Sequence, residues 1–172
     1  MNKSIVLTVI AKDQPGIIET VSKVLHKHGG NWTRSSMSSL AGQFAGILLA
    51  SVPEENTDTC LAELHGLESL GLRIIAHVSK TQSSAARRHD YALELVGNDR
   101  PGIVHEITQV LANHQVSVIE FGTSVESASM GGGELFRARA LLSIPEETDL
   151  FVLENDLEDI ANDLMVEISF EK

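Results

Sequence analysis

Apolar residues in this chain follow first a strand-like and then a helix-like spacing, and the succession occurs twice. Ser4–Ala11 is a short run rich in Ile and Val, which suits a strand. Ile17, Val21, Val24 and Leu25 then stand three or four positions apart, the spacing of one helix face. Pro15 fits the first helical position, where a missing N–H costs nothing, and Gly29-Gly30 supplies the glycine that ends a helix. A polar strand over Trp32–Ser39 and an apolar strand over Phe44–Val52 follow. A helix marked by Leu61, Leu64 and Leu67 and a strand over Leu72–Val78 close the first pass. The second pass runs through a strand over Tyr91–Val96 and a helix carrying Ile103, Ile107, Val110 and Leu111 behind Pro101. Strands over Val118–Val125 and Leu135–Ile144, a helix over Leu150–Leu164 and a strand over Met165–Phe170 complete it. Each pass therefore predicts strand, helix, strand, strand, helix, strand. That is an α+β, ferredoxin-like βαββαβ unit, an antiparallel sheet with both helices on one face. The other face is left to solvent or a partner, and the polar strands suit edges that need a neighbour.

The letters repeat as well as the pattern. Asp13-Gln14-Pro15-Gly16-Ile17-Ile18 returns 86 residues later as Asp99-Arg100-Pro101-Gly102-Ile103-Val104. Val24, Leu25 and His28 match Val110, Leu111 and His114 at the same offset. Pro53 and Pro145 each close an apolar run but lie 92 apart, so the second copy carries 6 extra residues, around Ser127–Gly133. Two copies indicate a duplication, not a solenoid. The stretch Ser79–Asp90 is small and polar, as linkers are. The expected organisation is a domain over 1–78, a linker over 79–90 and a domain over 91–172.

A strand followed by Asp-x-Pro-Gly-Ile and a helix, inside a ferredoxin-like unit, resembles the ACT domain, once in each half and over nearly the whole chain. Gly30-Asn31-Trp32-Thr33-Arg34-Ser35, Leu40-Ala41-Gly42-Gln43-Phe44-Ala45-Gly46 and Gly97-Asn98-Asp99-Arg100-Pro101-Gly102 narrow the likeness. Taken together, the tandem pair is similar to the glycine cleavage system transcriptional repressor family. The resemblance implies a cytoplasmic regulator that responds to a small amino acid, glycine or serine first. It implies restraint of a DNA-bound activator of the glycine cleavage operon through protein contact, with no DNA-binding domain. In the amino-acid-binding relatives an Asn starts the second strand and faces the ligand; Asn31 matches it, and its counterpart is Ser117. The implied ligand contacts are then Asp13, Gln14, Gly16, Ile17 and Asn31 in the first copy. In the second they are Asp99, Arg100, Gly102, Ile103 and Ser117.

The motif also has a chemistry of its own. A helix N-terminus presents unpaired N–H groups and partial positive charge, a seat for a carboxylate. Gly16 and Gly102 let a small ligand approach the backbone, and Asp13 or Asp99 could take its ammonium. Equally, each Asp could cap its helix and each Gly could simply serve the turn.

Composition limits the alternatives. The 172 residues carry 13 Lys+Arg and 24 Asp+Glu, a net charge of -11, and only 4% are aromatic. Phosphate backbones repel such a chain and few rings are present to stack on bases, so direct nucleic-acid binding is disfavoured. The imbalance lies in the second half, much of it on Glu154, Asp156, Glu158, Asp159 and Asp163 of the last helix. These form a solvated face or an acidic docking surface for a basic protein partner. A lone Cys60 cannot form an internal disulfide, fits a reducing compartment, and reads as a buried small side chain. No run of residues approaches the ~20 needed to span a membrane, and Met1–Ala11 reads as a strand rather than a signal peptide.

Among seven histidines, His26 and His28 point to different helix faces and cannot chelate together. The recurrence of His28 as His114 suggests a shared structural job at the helix end. No metal, cofactor or catalytic cluster is indicated. Gly131-Gly132-Gly133 lacks the Lys-Ser/Thr of a phosphate loop and reads as a hairpin tip or a lid. A regulatory subunit of a metabolic enzyme is the alternative function, an enzyme in its own right the least favoured, and a homo-oligomer stays open.

Overall fold

In the computed structural model, which describes residues 1–79, 87–127 and 133–171, the chain opens with strand β1 (Asn2–Lys12) and helix α1 (Ile17–Lys27). Strands β2 (Asn31–Leu40) and β3 (Gln43–Pro53), helix α2 (Thr57–Gly66) and strand β4 (Arg73–Val78) follow. The sheet order is β2-β3-β1-β4, with every neighbouring pair antiparallel. Alternation along β1 sorts the side chains. Ile5, Leu7, Val9 and Ala11 are buried with Ile17, Val21 and Leu25 of α1 and Cys60 and Leu64 of α2, while Val6, Thr8 and Ile10 take the other face.

The second unit repeats this with β5 (Arg88–Asn98), α3 (Ile103–Asn113), β6 (Ser117–Ser127), β7 (Glu134–Pro145), α4 (Leu150–Leu164) and β8 (Val166–Glu171). Its sheet order is β6-β7-β5-β8, again antiparallel. Leu93, Leu95, Ile107, Leu142, Leu153 and Leu157 lie in a core that shares no residue with the first. Both units are the expected βαββαβ arrangement, and the polar strands β2 and β6 are edges. By packing, the chain divides into Met1–Gln82 and Ser83–Lys172.

Three local expectations need correction. Pro15 and Pro101 precede their helices instead of opening them. Gly16 (φ 92, ψ 1) and Gly102 (φ 103, ψ -20) are left-handed, a conformation glycine adopts without strain, and each stands directly before its helix. Strand β5 starts at Arg88, inside the expected linker. The Arg88 guanidinium anchors it, donating to Ser143 Oγ at 2.9 Å, Ser117 Oγ at 3.1 Å and the Gln115 carbonyl at 3.1 Å. On α2 the buried stripe is Thr57, Cys60 and Leu64, continuing to Leu67, and Leu61 is only half-buried. Thr57 is tolerated there because its hydroxyl donates to the Pro53 carbonyl at 3.0 Å. Residues 80–86 of the expected linker, and Gly131 and Gly132 of the expected hairpin tip, lie outside the described residues.

The repeated histidines do the expected structural work. His28 Nε2 meets Glu63 at 2.8 Å and joins α1 to α2; His114 Nε2 meets Asp156 at 2.7 Å and joins α3 to α4.

Candidate functional site

The turn between β1 and α1 is fixed from two sides. The Asp13 N–H donates to the Gly42 carbonyl of the β2–β3 hairpin at 2.9 Å. The Asp13 carboxylate accepts from Ser39 Oγ at 2.6 Å. Asp13 therefore does not cap α1, and among the described residues no other side chain does. At the start of the helix the Gly16 carbonyl accepts from the Thr20 N–H at 2.9 Å and the Thr20 hydroxyl at 2.8 Å. The first-turn N–H groups of α1 are thus left without a side-chain acceptor, next to a carboxylate that a hydroxyl holds in place. A Cβ added at Gly16 would meet nothing within 4 Å, so the turn is open to a small molecule.

The second unit departs from this in three ways. The Asp99 N–H keeps the backbone bond, to Glu134 at 2.8 Å. By strand register, however, Val125 opposite Phe136 stands where Ser39 stands opposite Phe44, so Asp99 loses the hydroxyl. Glu106 replaces Thr20, and its Oε1 lies 3.4 Å from where a Gly102 Cβ would be. A carboxylate of the chain itself already leans over this turn. Arg100, the counterpart of Gln14, donates to the Asp163 carbonyl at the end of α4 at 2.9 Å. Of the two turns, the first offers the freer seat.

The structure gathers Asp13, Gln14, Gly16 and the Ile17 backbone at one end of the first sheet. Ile17 and Ile103 send their side chains into the cores, so only their N–H groups are free to serve a ligand. Asn31 is elsewhere. It pairs with Ser51 at the far end of β2, eight residues and about 26 Å along the strand from Ser39. Ser117 is likewise remote from Asp99, and its hydroxyl accepts from Arg88. Ser39 was missed. It is one of several serines in Ser35-Ser36-Met37-Ser38-Ser39, and only the hairpin register singles it out.

Other chemistry is sparse. A cleft between α3 and β6 is lined by Leu93, Leu95, Ile103, Val104, Ile107 and Phe121, among others, and offers no charged group to an amino acid. Among the described residues no three His, Cys, Asp or Glu side chains come together as metal ligands. Cys60 is buried, and burial, with Glu63 nearby, pushes its thiol pKa up and keeps it unreactive. No helix of the described residues is long and apolar enough to cross a membrane.

Comparison with known proteins agrees with this architecture. A crystal structure of an unknown protein from Galdieria sulphuraria is 27% identical, covers 99% of this chain and 98% of its own, and superposes with a TM-score of 0.87. The crystal structure of a "putative glycine cleavage system transcriptional repressor" is 18% identical, with 99% and 97% coverage and a TM-score of 0.66, a likeness of fold. Curated protein sequences give no match. The family model of the ACT domain matches twice, at residues 3–77 and 92–171, one match on each βαββαβ unit, and the chain belongs to the ACT domain family.

Proposed function

We propose that this protein is an amino-acid-responsive regulator, not an enzyme, and that its first ACT domain takes glycine or serine at the β1–α1 turn. The observation that carries the reading is the Asp13 carboxylate, held by Ser39 beside an uncapped helix start with open space at Gly16. The ligand ammonium would sit on Asp13, and its carboxylate on the N–H groups of Ile17 and Ile18. The second domain, with Glu106 over Gly102, takes such a ligand less well. The regulated process is transcription of the glycine cleavage operon, restrained by contact with a DNA-bound activator. The full-length likeness in fold to a protein of that name supports this, as does a net charge of -11 that keeps the chain itself off DNA. The exposed carboxylates of α4, among them Glu154, Glu158 and Asp159, suit a basic patch on the activator. Asp156 is already engaged by His114.

Isothermal calorimetry tests the site. Glycine or serine binds the native protein, and Asp13→Ala weakens it roughly tenfold to a hundredfold, the worth of a hydrogen bond to a charged group. Ser39→Ala has a smaller effect in the same direction. Asn31→Ala leaves the affinity unchanged if one unit makes the whole pocket, because Asn31 stands at the far end of β2. Native affinity in Asp13→Ala would place the pocket elsewhere. A gel shift tests the mode of action: the protein alone leaves promoter DNA unshifted and alters the band only when the activator is present. A shift of bare DNA would remove the protein-contact mechanism.

A further inference from the structure

Each sheet has one face under its helices and one face open, and the two open faces differ in a patterned way. On the first sheet, Ile47, Thr8 and Ile75 form a row across β3, β1 and β4. Ile47 is 57%, Ile75 59% and the adjacent Ile10 42% exposed, an unusual concentration of bare isoleucine. Around this centre the charges are cationic: Arg34 stands opposite Leu49 and Arg73 opposite Ile10, and the imidazole of His77 lies opposite Val6. Among the described residues, no carboxylate of the four strands shares this face.

On the second sheet the register-equivalent perimeter positions carry carboxylates. Glu120 stands opposite Leu141 where Arg34 stands opposite Leu49. Glu167 opposite Val96 replaces Arg73 opposite Ile10, and Glu171 opposite Ala92 replaces His77 opposite Val6. At the centre, Glu94 and Arg139 take the places of Thr8 and Ile47 and neutralise each other at 3.0 Å. Arg137 and Glu126 on the same face pair at 3.6 Å, leaving Glu120, Glu167 and Glu171 as unpaired carboxylates among the described residues.

We infer that the open face of the first domain is a docking surface for the open face of the second domain of another copy of this chain. Two sheets of the same strand order and similar size stack face to face about 10 Å apart, perimeter over perimeter. Stacking either face on its own kind would set cations on cations or carboxylates on carboxylates. Stacking unlike faces sets Arg34, Arg73 and His77 against a carboxylate rim and removes the isoleucine patch from water. A four-stranded face measures about 20 Å by 25 Å, so reciprocal use of both faces in a dimer buries roughly 2,000 Å² in total, the size of a stable interface. This inference does not depend on the ligand or on the activator.

Light scattering on the full chain reads the outcome. The expected mass is twice the 18.6 kDa of one chain, with dissociation favoured by salt. Arg34→Glu with Arg73→Glu raises the dimer dissociation constant roughly tenfold to a hundredfold. Adding Glu120→Arg and Glu167→Arg to the same chain restores it, which a merely misfolded variant would not show. Ile47→Glu alone also yields monomer. A monomeric native protein overturns the inference. So does a dimer that ignores these variants but is lost with Phe121→Asp, since that would mean pairing along the β6 edge. Charge reversal without rescue overturns it as well.

Discussion

The two cores share no residue, so removing buried volume from one should leave the other standing. Leu64 and Leu157 lie at the centre of the buried stripes of α2 and α4, at 0% and 1% exposure. Truncating a buried Leu to Ala costs about 3–5 kcal/mol, the lost transfer energy plus the cavity. A unit the size of Met1–Gln82 has a total stability of about 4–12 kcal/mol. With a urea slope near 1 kcal/mol per molar, the midpoint should fall by roughly 3–5 M, a large part of the whole transition. The protein supplies one reporter for each unit. Trp32, the only tryptophan, packs against the first core. Tyr91, the only tyrosine, stacks on Phe170 in the second, with ring centroids 5.0 Å apart and planes at 5°. In Leu64→Ala the tryptophan fluorescence transition moves and the tyrosine near-ultraviolet dichroism transition stays. In Leu157→Ala the roles reverse. The titrations belong at the lowest concentration the signals permit, so that association does not couple the units. Coincident movement of both probes in either variant would refute the independence of the cores.

Two further outcomes follow from single contacts. Glu63 accepts from Lys27 Nζ and lies against His28, and these partners hold its carboxyl pKa below the usual value. A lowered folded pKa means stability present above the unfolded pKa and lost as pH falls through the folded one. Glu63→Gln should therefore destabilise the first unit at neutral pH, and the difference should close on acidification; a difference constant with pH would dismiss the ion pair. Asp149 caps α4 by accepting from the Phe151 N–H at 3.1 Å and the Val152 N–H at 3.3 Å. Asp149→Ala should cost about 1 kcal/mol and lower the melting temperature read by Tyr91; an unchanged melt would mean the cap contributes nothing.

The fold was legible because each element announces itself within a few residues. The period-two burial of Ile5, Leu7 and Val9 in β1 and the Ile17, Val21, Val24, Leu25 stripe of α1 require only local physics. Where the reading slipped, a longer-range contact decided. Arg88 looks like linker until Ser117 and Ser143 arrive from two other strands to hold it. Leu61 looks like core until the packing of α2 leaves it half-buried, beside a Cys60 that is buried as its sequence context suggests. At the ends of α1 and α3 the same closure forms with different residues. Gly29 has φ 70 and Gln115 φ 57, and Gly30 and Val116 each donate back to the fifth residue before them, Leu25 and Leu111. Glycine advertised the first of these, and nothing in the sequence advertised the second.

The site was half legible for the same reason. Asp13, Gly16 and Ile17 lie within five residues of one another in sequence, so a motif could name them. Ser39 reaches Asp13 only through the β2–β3 register, and Asn31 is carried away by the same strand that brings Ser39 in. That geometry also explains why the duplicated copies need not share a function. The turn backbone is kept in both, because Pro-Gly and the bond from the Asp13 or Asp99 N–H set the path from strand to helix. The side chains around it are free to change. Val125 for Ser39 and Glu106 for Thr20 remove the carboxylate's holder and put a negative charge at the helix start, where the first unit has a neutral hydroxyl. The open faces diverge independently, from Arg34 and Arg73 to Glu120 and Glu167. Duplication thus leaves one scaffold and two surfaces. One domain carries an open turn and a bare apolar face beside Arg34 and Arg73, and the other a turn under Glu106 and a face bearing Glu120 and Glu167.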